Sequence, residues 1–188
     1  GKENTAKVGI PGTADDRTID FVYRVAEADD ILTSTDSMTF AKNESYPGDL
    51  QARMREDIAS HQQMIISGSA NLSPGHVLDI GNSVTEGIPI VGMVNPEGGA
   101  AVPRVLVVES GNGRTMMIKR ASIEFPDKYQ AYREELVRKL EAPDNDYGIS
   151  PETVRAMDKP ILVRERRTPL DHDGRVKFAQ DANRSGLT

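Results

Sequence analysis

The sequence predicts an α+β domain in which a small mixed sheet is flanked by helices. Short runs rich in β-branched residues, typical of strands, alternate with longer segments whose apolar residues recur at helical spacing. Turns that contain Gly or Pro separate these segments. The predicted strands are 19–27, 88–94, 104–108 and 160–164, and the predicted helices are 57–70, 114–124, 127–140 with Asp127 as its N-cap, 151–157 and a last one that contains 176–183.

The strands are indicated by different patterns. In 19–27 the apolar residues Phe21, Tyr23 and Val25 alternate at period two, which is typical of a half-buried strand. Proline cannot donate a hydrogen bond to a neighbouring strand, so we expect Pro89 at an edge, an end or a bulge. Residues 104–108 form a continuous β-branched run, which is typical of a strand covered on both faces.

The helices are justified by apolar stripes and by their caps. Met117, Ile118 and Ala121 share one face of the central helix, and a longer stripe follows in 127–140. Ser150 before Pro151 is a cap followed by proline at the first helical position, which favours a short helix there.

Length and composition limit the classes of function. The 188 residues suit one domain with a substantial core, and the net charge of −6 gives no global sign of a nucleic-acid or membrane partner. The chain has no Cys, which excludes thiol chemistry, thiolate zinc sites and disulfides and fits a reducing compartment. No apolar run approaches the roughly 20 residues of a membrane span. We therefore expect a cytoplasmic protein without a membrane partner or a signal peptide.

Two parts are expected along the chain. Residues 1–18 are rich in Gly, Lys and Asp without periodicity and are predicted to be a flexible arm. Residues 19–188 are predicted to form one domain. Because the sequence starts at Gly1 rather than Met, it leaves open whether the chain is a fragment of a larger protein.

A strand, a glycine turn and a helix meet between Pro103 and Ile123. The turn Gly111-Asn112-Gly113 consists of residues that tolerate a positive φ. A helix that begins after such a turn presents unpaired backbone N–H groups and the positive end of its dipole, which together suit a phosphate group. The spacing matches neither a Walker A loop nor a complete G-x-G-x-x-G fingerprint.

Arg114 lies where a cation opposes the helix dipole, at a cost of about 0.3–1 kcal/mol at an exposed site. Lys119 and Arg120 follow it. A bound polyphosphate would convert this repulsion into charge-assisted hydrogen bonds. Alternatively, Arg114 pairs with Glu109 or with another carboxylate across the turn, and the spacing leaves both interpretations open.

Three other groups of residues were weighed. Arg164, Arg166 and Arg167 form the densest positive run of the chain. Asp171-His172-Asp173 suggests a metal site, but an Asp at the start of a helix is more often a cap, so no metal site is predicted. Asn183 is predicted to face inward among apolar neighbours or to end the last helix.

Eight segments, in this order, resemble the ParB/sulfiredoxin superfamily and are most similar to its DdrB-like branch, found in large polyvalent proteins of phages and mobile elements. They cover about residues 20–185. The segments are 22–25, 46–53, 60–64, 71–74, 87–92, 108–115, 160–164 and 178–183.

The resemblance implies a ParB/sulfiredoxin-like fold and a set of phosphate-binding residues. The family's G-x-x-R motif is matched by Gly111, Asn112, Gly113 and Arg114, with Thr115 following, and the arginine near its first helix by Arg53 or Arg55. Its Glu-Asn motif followed by Arg appears as Ala182-Asn183-Arg184, so the Glu is missing. The cysteine of sulfiredoxins is also missing, which excludes sulfinic-acid repair.

The resemblance implies three alternative functions. The first is binding of CTP or ATP, with magnesium, and slow hydrolysis in a DNA-associated plasmid or phage process, with Glu109 and Asn183 as catalytic residues and Arg184 on the phosphates. The second is a metal-dependent DNase or DNA-binding module of a mobile-element defence or antidefence protein, which contacts DNA through Arg164, Arg166 and Arg167. The third is an inactive scaffold. A homodimer and the choice of nucleotide are left open.

Overall fold

The computed structural model describes residues 5–9, 18–47, 50, 62–68, 72–74, 89–94, 105–145 and 147–185. For residues 5–9, 18, 19, 90, 93, 94, 105 and 181–185 it describes the backbone alone. The strands are β1 Thr5–Gly9, β2 Thr18–Glu27, β3 Ile31–Leu32, β4 Ile90–Val94, β5 Val105–Ser110 and β6 Pro160–Arg166. The helices are α1 at 62–67, α2 Asn112–Glu124, α3 Pro126–Glu141, α4 Pro151–Arg155 and α5 His172–Ser185.

The six described strands form one mixed sheet in the order β1-β2-β6-β4-β5-β3. The pairs β1/β2, β2/β6 and β4/β5 are antiparallel, whereas β4/β6 and β3/β5 are parallel. Helices lie on this sheet rather than alternating regularly with its strands. The predicted α+β class with a mixed sheet is therefore confirmed.

The segment predicted to be a flexible arm, residues 1–18, contains strand β1. Thr5–Gly9 pair antiparallel with β2, so that Thr5 lies opposite Val22 and Gly9 opposite Thr18. Five residues are too few to show a periodic pattern, and the edge of β2 supplies the hydrogen-bond partners that the sequence does not reveal. The boundary at residue 18 also falls inside the described sheet, because β2 begins at Thr18.

Strand β3 falls in no predicted segment, and the remaining strands agree with the predicted ones. The segment 104–108 is β5, and 160–164 extends to Arg166 as β6. Pro89 directly precedes β4, where its carbonyl accepts a 2.8 Å hydrogen bond from the Arg164 backbone N–H. The register shifts between Ile90 and Val91. Proline thus occurs at a strand end next to a bulge, as its missing donor requires.

Helix starts differ slightly from the prediction. Helix α2 begins at Asn112 rather than Arg114. The N-cap of α3 is Phe125 and not Asp127, because Pro126 takes the first helical position, where its fixed φ and missing N–H are favourable. Ser150 caps α4 as predicted, with its hydroxyl accepting from the Glu152 N–H at 3.3 Å. Of the helix predicted at 57–70, residues 62–67 are helical and 57–61 lie outside the described residues.

Two apolar clusters cover β5. Leu106 and Val108 belong to the larger cluster, in which α2 and α3 pack on the strands, whereas Val107 packs with Ala179 of α5. This arrangement confirms that β5 is a covered strand. It also brings the end of β5, and the turn that follows it, between two layers of helices.

No helix among the described residues combines the length and the apolar character that crossing a membrane requires.

Candidate functional site

The site is built around the turn that joins β5 to α2. Gly111 is the N-cap of α2 and has a φ of 92°, a conformation that favours glycine. A Cβ at this position would also lie 3.1 Å from Cα of Pro89. Thr115 closes the first turn, because its backbone N–H and its hydroxyl both donate to the Gly111 carbonyl, at 2.9 and 2.8 Å. Thr115 is therefore part of the turn itself.

The first turn of α2 carries no internal cap. Gly111 has no side chain with which to accept a hydrogen bond, and the first turn contains no acidic residue. The positive end of the helix dipole is therefore not neutralised by the helix's own side chains.

Gly113 has no need to be glycine for the sake of the fold. It is helical, it is not among the described glycines with positive φ, and a Cβ there would meet no atom of the described residues within 4 Å. Glycine inside a helix is less stable than alanine by roughly 0.5–1 kcal/mol. The space above Gly113 would let another molecule approach the helix backbone closely.

Asn112 is committed to an internal network. Its Oδ1 accepts from the Ser34 backbone N–H at 2.8 Å, and its Nδ2 donates to the Tyr46 hydroxyl at 3.3 Å. Tyr46 in turn donates to the Val108 carbonyl at 2.7 Å, and burial raises the pKa of Tyr46 to about 12. The Asn112 side chain therefore fixes the turn, and what it can offer to a phosphate is its backbone.

Glu109 lies at the centre of a buried charge cluster. Its side chain is 0% exposed, and Arg166 approaches it with Nε at 2.8 Å from Oε1 and Nη2 at 3.2 Å from Oε2. Arg175 adds a third contact, Nε to Oε2 at 3.0 Å. A Cβ on Gly92 would lie 2.9 Å from the carboxylate, so glycine on β4 makes room for it.

Glu109 was predicted either to pair with Arg114 or to act as a catalytic residue, and these contacts bear on both roles. The carboxylate that could have neutralised Arg114 is engaged by Arg166 and Arg175 instead. Because both its oxygens accept from guanidinium groups, Glu109 fits neither a general base nor a magnesium ligand. Its geometry is that of a residue that positions arginines.

Arg114 is partly buried in the first turn of α2, and burial lowers the pKa of its guanidinium, an effect that the interaction with Tyr132 opposes. An arginine stays charged at neutral pH even so. The cation expected at the helix start is therefore present there.

Lys119 contacts β3, Arg120 contacts the chain that follows it, and neither joins Arg114 in a phosphate cluster. Lys119 Nζ donates to the Ile31 carbonyl at 2.8 Å. Arg120 Nη1 donates to the carbonyls of Ser37 and Met38 at 2.9 and 3.1 Å, and its Cζ lies 5.6 Å from the centre of the Phe40 ring. Both cations hold this segment against α2.

Two of the three arginines predicted to contact DNA are inside the protein. Arg164 is 5% exposed, and its Cζ lies 5.0 Å from the centre of the Phe21 ring. Arg166 is bound to Glu109. A contact with a DNA backbone needs an exposed guanidinium, and of the three residues Arg167 alone is exposed. The spacing along β6 explains this, because alternate residues of a strand share one face.

Asp171 is a helix cap, as expected. Its Oδ1 accepts from the Gly174 backbone N–H at 2.7 Å. In the part of the chain that the structure describes, no group of three or more His, Asp or Glu side chains could hold a metal ion.

The remaining predicted site residues are placed only in part. Asn183 and Arg184 lie on the last turns of α5, but their side chains are outside the described part of the chain. Arg53 and Arg55 lie outside it altogether.

Two residues of the charge cluster were missed by sequence reasoning. Arg175 shares a helix face with Phe178 and Ala179, which are buried, and this spacing indicates an inward arginine. Gly92 interrupts an apolar strand, which is a sign of close approach by a neighbouring group.

One comparison with known proteins gave a result. The sequence model of the ddrB-like ParB superfamily domain matches residues 14–167, which include the whole β5–α2 turn and end before α5. No curated protein and no solved structure matches the chain. This relationship supports a DNA-associated role. With most of its length matched, the chain belongs to the ddrB-like ParB superfamily.

Proposed function

We propose that this domain binds a nucleotide, CTP or ATP, at the start of α2 and hydrolyses it slowly in a DNA-associated process of a plasmid or phage. The observation that carries the proposal is the combination at the first turn of α2: no acidic cap, a cation at Arg114, and space above Gly113 that no described residue fills. Each feature opposes helix stability, and a bound phosphate turns each of them to advantage.

The backbone N–H groups of the first turn would donate to phosphate oxygens, and Arg114 would neutralise their charge. Gly113 would let the phosphate approach the backbone, because it has no side chain of its own and no side chain of the described residues lies within 4 Å of its missing Cβ. By resemblance, Arg184 and Arg53 would add further positive charge. The neighbouring Asn112–Tyr46–Val108 network would keep the turn rigid.

Magnesium would arrive with the nucleotide as its phosphate complex. Of the two residues predicted to be catalytic, Asn183 remains the one proposed to orient the water or the metal. Glu109 would act through Arg166 and Arg175, since its oxygens are engaged. Because both oxygens of Glu109 accept from arginines, this carboxylate would not activate water, and hydrolysis would be slow.

The test is isothermal titration of the chain with CTP, ATP and GTP in the presence of magnesium. We expect CTP or ATP to bind, and Arg114→Ala to weaken that binding at least tenfold, because the charge-assisted contacts to phosphate are lost. Arg138→Ala, which removes an exposed arginine from α3, is the matched control. Release of inorganic phosphate reports hydrolysis. No binding by the wild type, or equal binding by Arg114→Ala, would remove the proposal.

The DNA-binding or DNase alternative retains a single exposed arginine, Arg167, of the three on which it was based. It requires affinity for duplex DNA that falls steeply with salt concentration. A fluorescence-anisotropy titration with duplex DNA at two salt concentrations separates it from nucleotide binding. A chain that binds neither nucleotide nor DNA would be the inactive scaffold.

A further inference from the structure

We propose that Arg175 is a further phosphate-binding residue of this site, through its guanidinium nitrogen Nη2, and that Glu109 is the residue that positions it. The inference rests on the proposed function, because it assigns a second cation to the same bound phosphate chain. Neither the resemblance nor the family match places a functional residue at the start of α5.

The charges of the cluster around Glu109 do not balance. One carboxylate, Glu109, faces two guanidinium groups, and the Glu109 side chain is 0% exposed while those of Arg166 and Arg175 are 8% and 16% exposed. The described cluster therefore holds one positive charge that it does not neutralise. An uncompensated cation in such a place is unfavourable, and an anion would relieve it.

The two arginines also differ in how completely they are bound. Arg166 uses Nε and Nη2 on Glu109 and Nη1 on the Thr168 carbonyl. Arg175 uses Nε on Glu109, whereas its Nη2 is buried and meets no hydrogen-bond acceptor among the described residues. A buried donor of this kind is costly unless something binds to it. Arg175 is therefore the arginine that Glu109 binds less completely, and it is also the one that carries the unpaired donor.

Arg175 also lies at the end of β5 that leads into α2. Glu109, to which Arg175 is bound, precedes the N-cap Gly111 by two residues. The Tyr46 hydroxyl connects the two sites, since it donates to Val108 and accepts from Asn112 at the start of α2. The charges of Glu109 and Arg175 both act on Tyr46, in opposite directions. Arg175 is therefore at the same end of β5 as the uncapped helix start.

These features identify the ligand as a phosphate oxyanion. A guanidinium edge together with backbone N–H groups suits a tetrahedral, multiply charged group. The Arg175 side chain keeps 16% of its surface exposed although Nη2 itself is buried, so the proposed contact requires the surface that covers Nη2 to move when the ligand binds. The same chemistry is found in a nucleotide, in inorganic polyphosphate and in a DNA backbone, and the experiment distinguishes these sources.

The test uses the full chain and isothermal titration with inorganic tripolyphosphate, with CTP and ATP, and with duplex DNA. We expect Arg175→Gln to weaken binding of tripolyphosphate and of nucleotide at least tenfold. Arg175→Lys keeps the charge but has no Nη2, so it should recover only part of the affinity. Arg138→Gln makes the same chemical change at an exposed site on α3 and should bind like the wild type.

A purely structural role for Arg175 is separated by a spectroscopic readout. If the phosphate touches this side chain, the ³¹P resonances of bound tripolyphosphate should differ between Arg175→Lys and the wild type. The unfolding midpoint of Arg175→Lys is measured alongside. Unchanged affinity and unchanged ³¹P shifts in Arg175→Lys would overturn the inference, and a buried water would then be the partner of Nη2. This variant decides the matter even where Arg175→Gln does not fold.

The inference and the proposed function can fail separately. Loss of nucleotide binding in Arg114→Ala with no effect of Arg175→Gln or Arg175→Lys would leave the function in place and refute the inference. If the chain binds tripolyphosphate in a way that depends on Arg175 but binds no nucleotide, the inference stands and the proposed function is refuted. Binding of DNA alone, with dependence on Arg175, would assign the phosphate site to a backbone phosphate. A wild-type chain that binds none of these ligands would refute both.

Discussion

Gly92 and Gly113 lack side chains for opposite spatial reasons. The missing Cβ of Gly92 would lie 2.9 Å from the buried Glu109 carboxylate, whereas that of Gly113 would meet no described atom within 4 Å. The first glycine is required by a contact within the protein. The second is not required by any described contact, and this is why it carries the argument for a ligand.

Gly92→Ala should destabilise the fold. The carboxylate that the new methyl group meets cannot move without losing its contacts to Arg166 and Arg175, so the change is overpacking of a rigid site, at about 1–3 kcal/mol. Urea unfolding measures this as a lower midpoint. Gly113→Ala in the same assay is the control and should show no loss. A Gly92→Ala chain as stable as the wild type would show that the cluster is looser than described.

How far residues could be predicted depends on the separation of their partners along the chain. The turn residues Gly111 to Thr115 are contiguous, and their pattern indicated a phosphate site. The partners of Glu109 lie 57 and 66 positions away, at Arg166 and Arg175, so no spacing rule could pair them. The sequence suggested Arg114 as a partner because it is close along the chain.

At the scale of elements, strong local patterns were predicted well and edge pairing was not. Strands β2, β5 and β6 and helices α2 to α4 follow their alternation, stripes and caps closely. Strand β1 depends on pairing with β2, and this tertiary interaction cannot be predicted from the five residues of β1 alone. The α3 start differs because Pro126 prefers the first helical position, which outweighed Asp127 as a cap.

Buried tyrosines that link the elements make the fold sensitive to alkali. Burial raises the pKa of Tyr46, beside β5, and of Tyr132, on α3, to about 12 in each case. An unfolded tyrosine ionises near pH 10. The folded state therefore holds these protons more tightly, and its stability should be complete below pH 10 and fall as the pH rises from 10 through 12.

Urea unfolding at pH 9, 10 and 11 tests this expectation. The midpoint should fall over that range in the wild type and fall less in Tyr46→Phe, which has no phenol to ionise. Tyrosinate absorbance near 295 nm should appear together with unfolding rather than before it. Ionisation of all tyrosines near pH 10 in the folded chain would contradict the burial described for these two residues.

At the scale of the whole molecule, a net charge of −6 surrounds a local cluster of guanidinium groups. Arg166 and Arg175 meet at Glu109, near the end of β5, and Arg114 lies in the first turn of the helix that follows, whereas the sequence as a whole carries an acidic excess. This contrast suits a small, highly charged anion better than an extended polyanion, which would also meet the acidic surface. Membership of the ddrB-like ParB superfamily supports a DNA-associated role for the domain.

The most direct measurement is the nucleotide affinity of Gly113→Ala together with its free energy of unfolding. A methyl group would fill space that nothing in the described chain occupies, on a helix that prefers alanine to glycine by roughly 0.5–1 kcal/mol. We expect Gly113→Ala to be at least as stable as the wild type and to bind CTP or ATP at least tenfold more weakly. Undiminished affinity in that variant would contradict it.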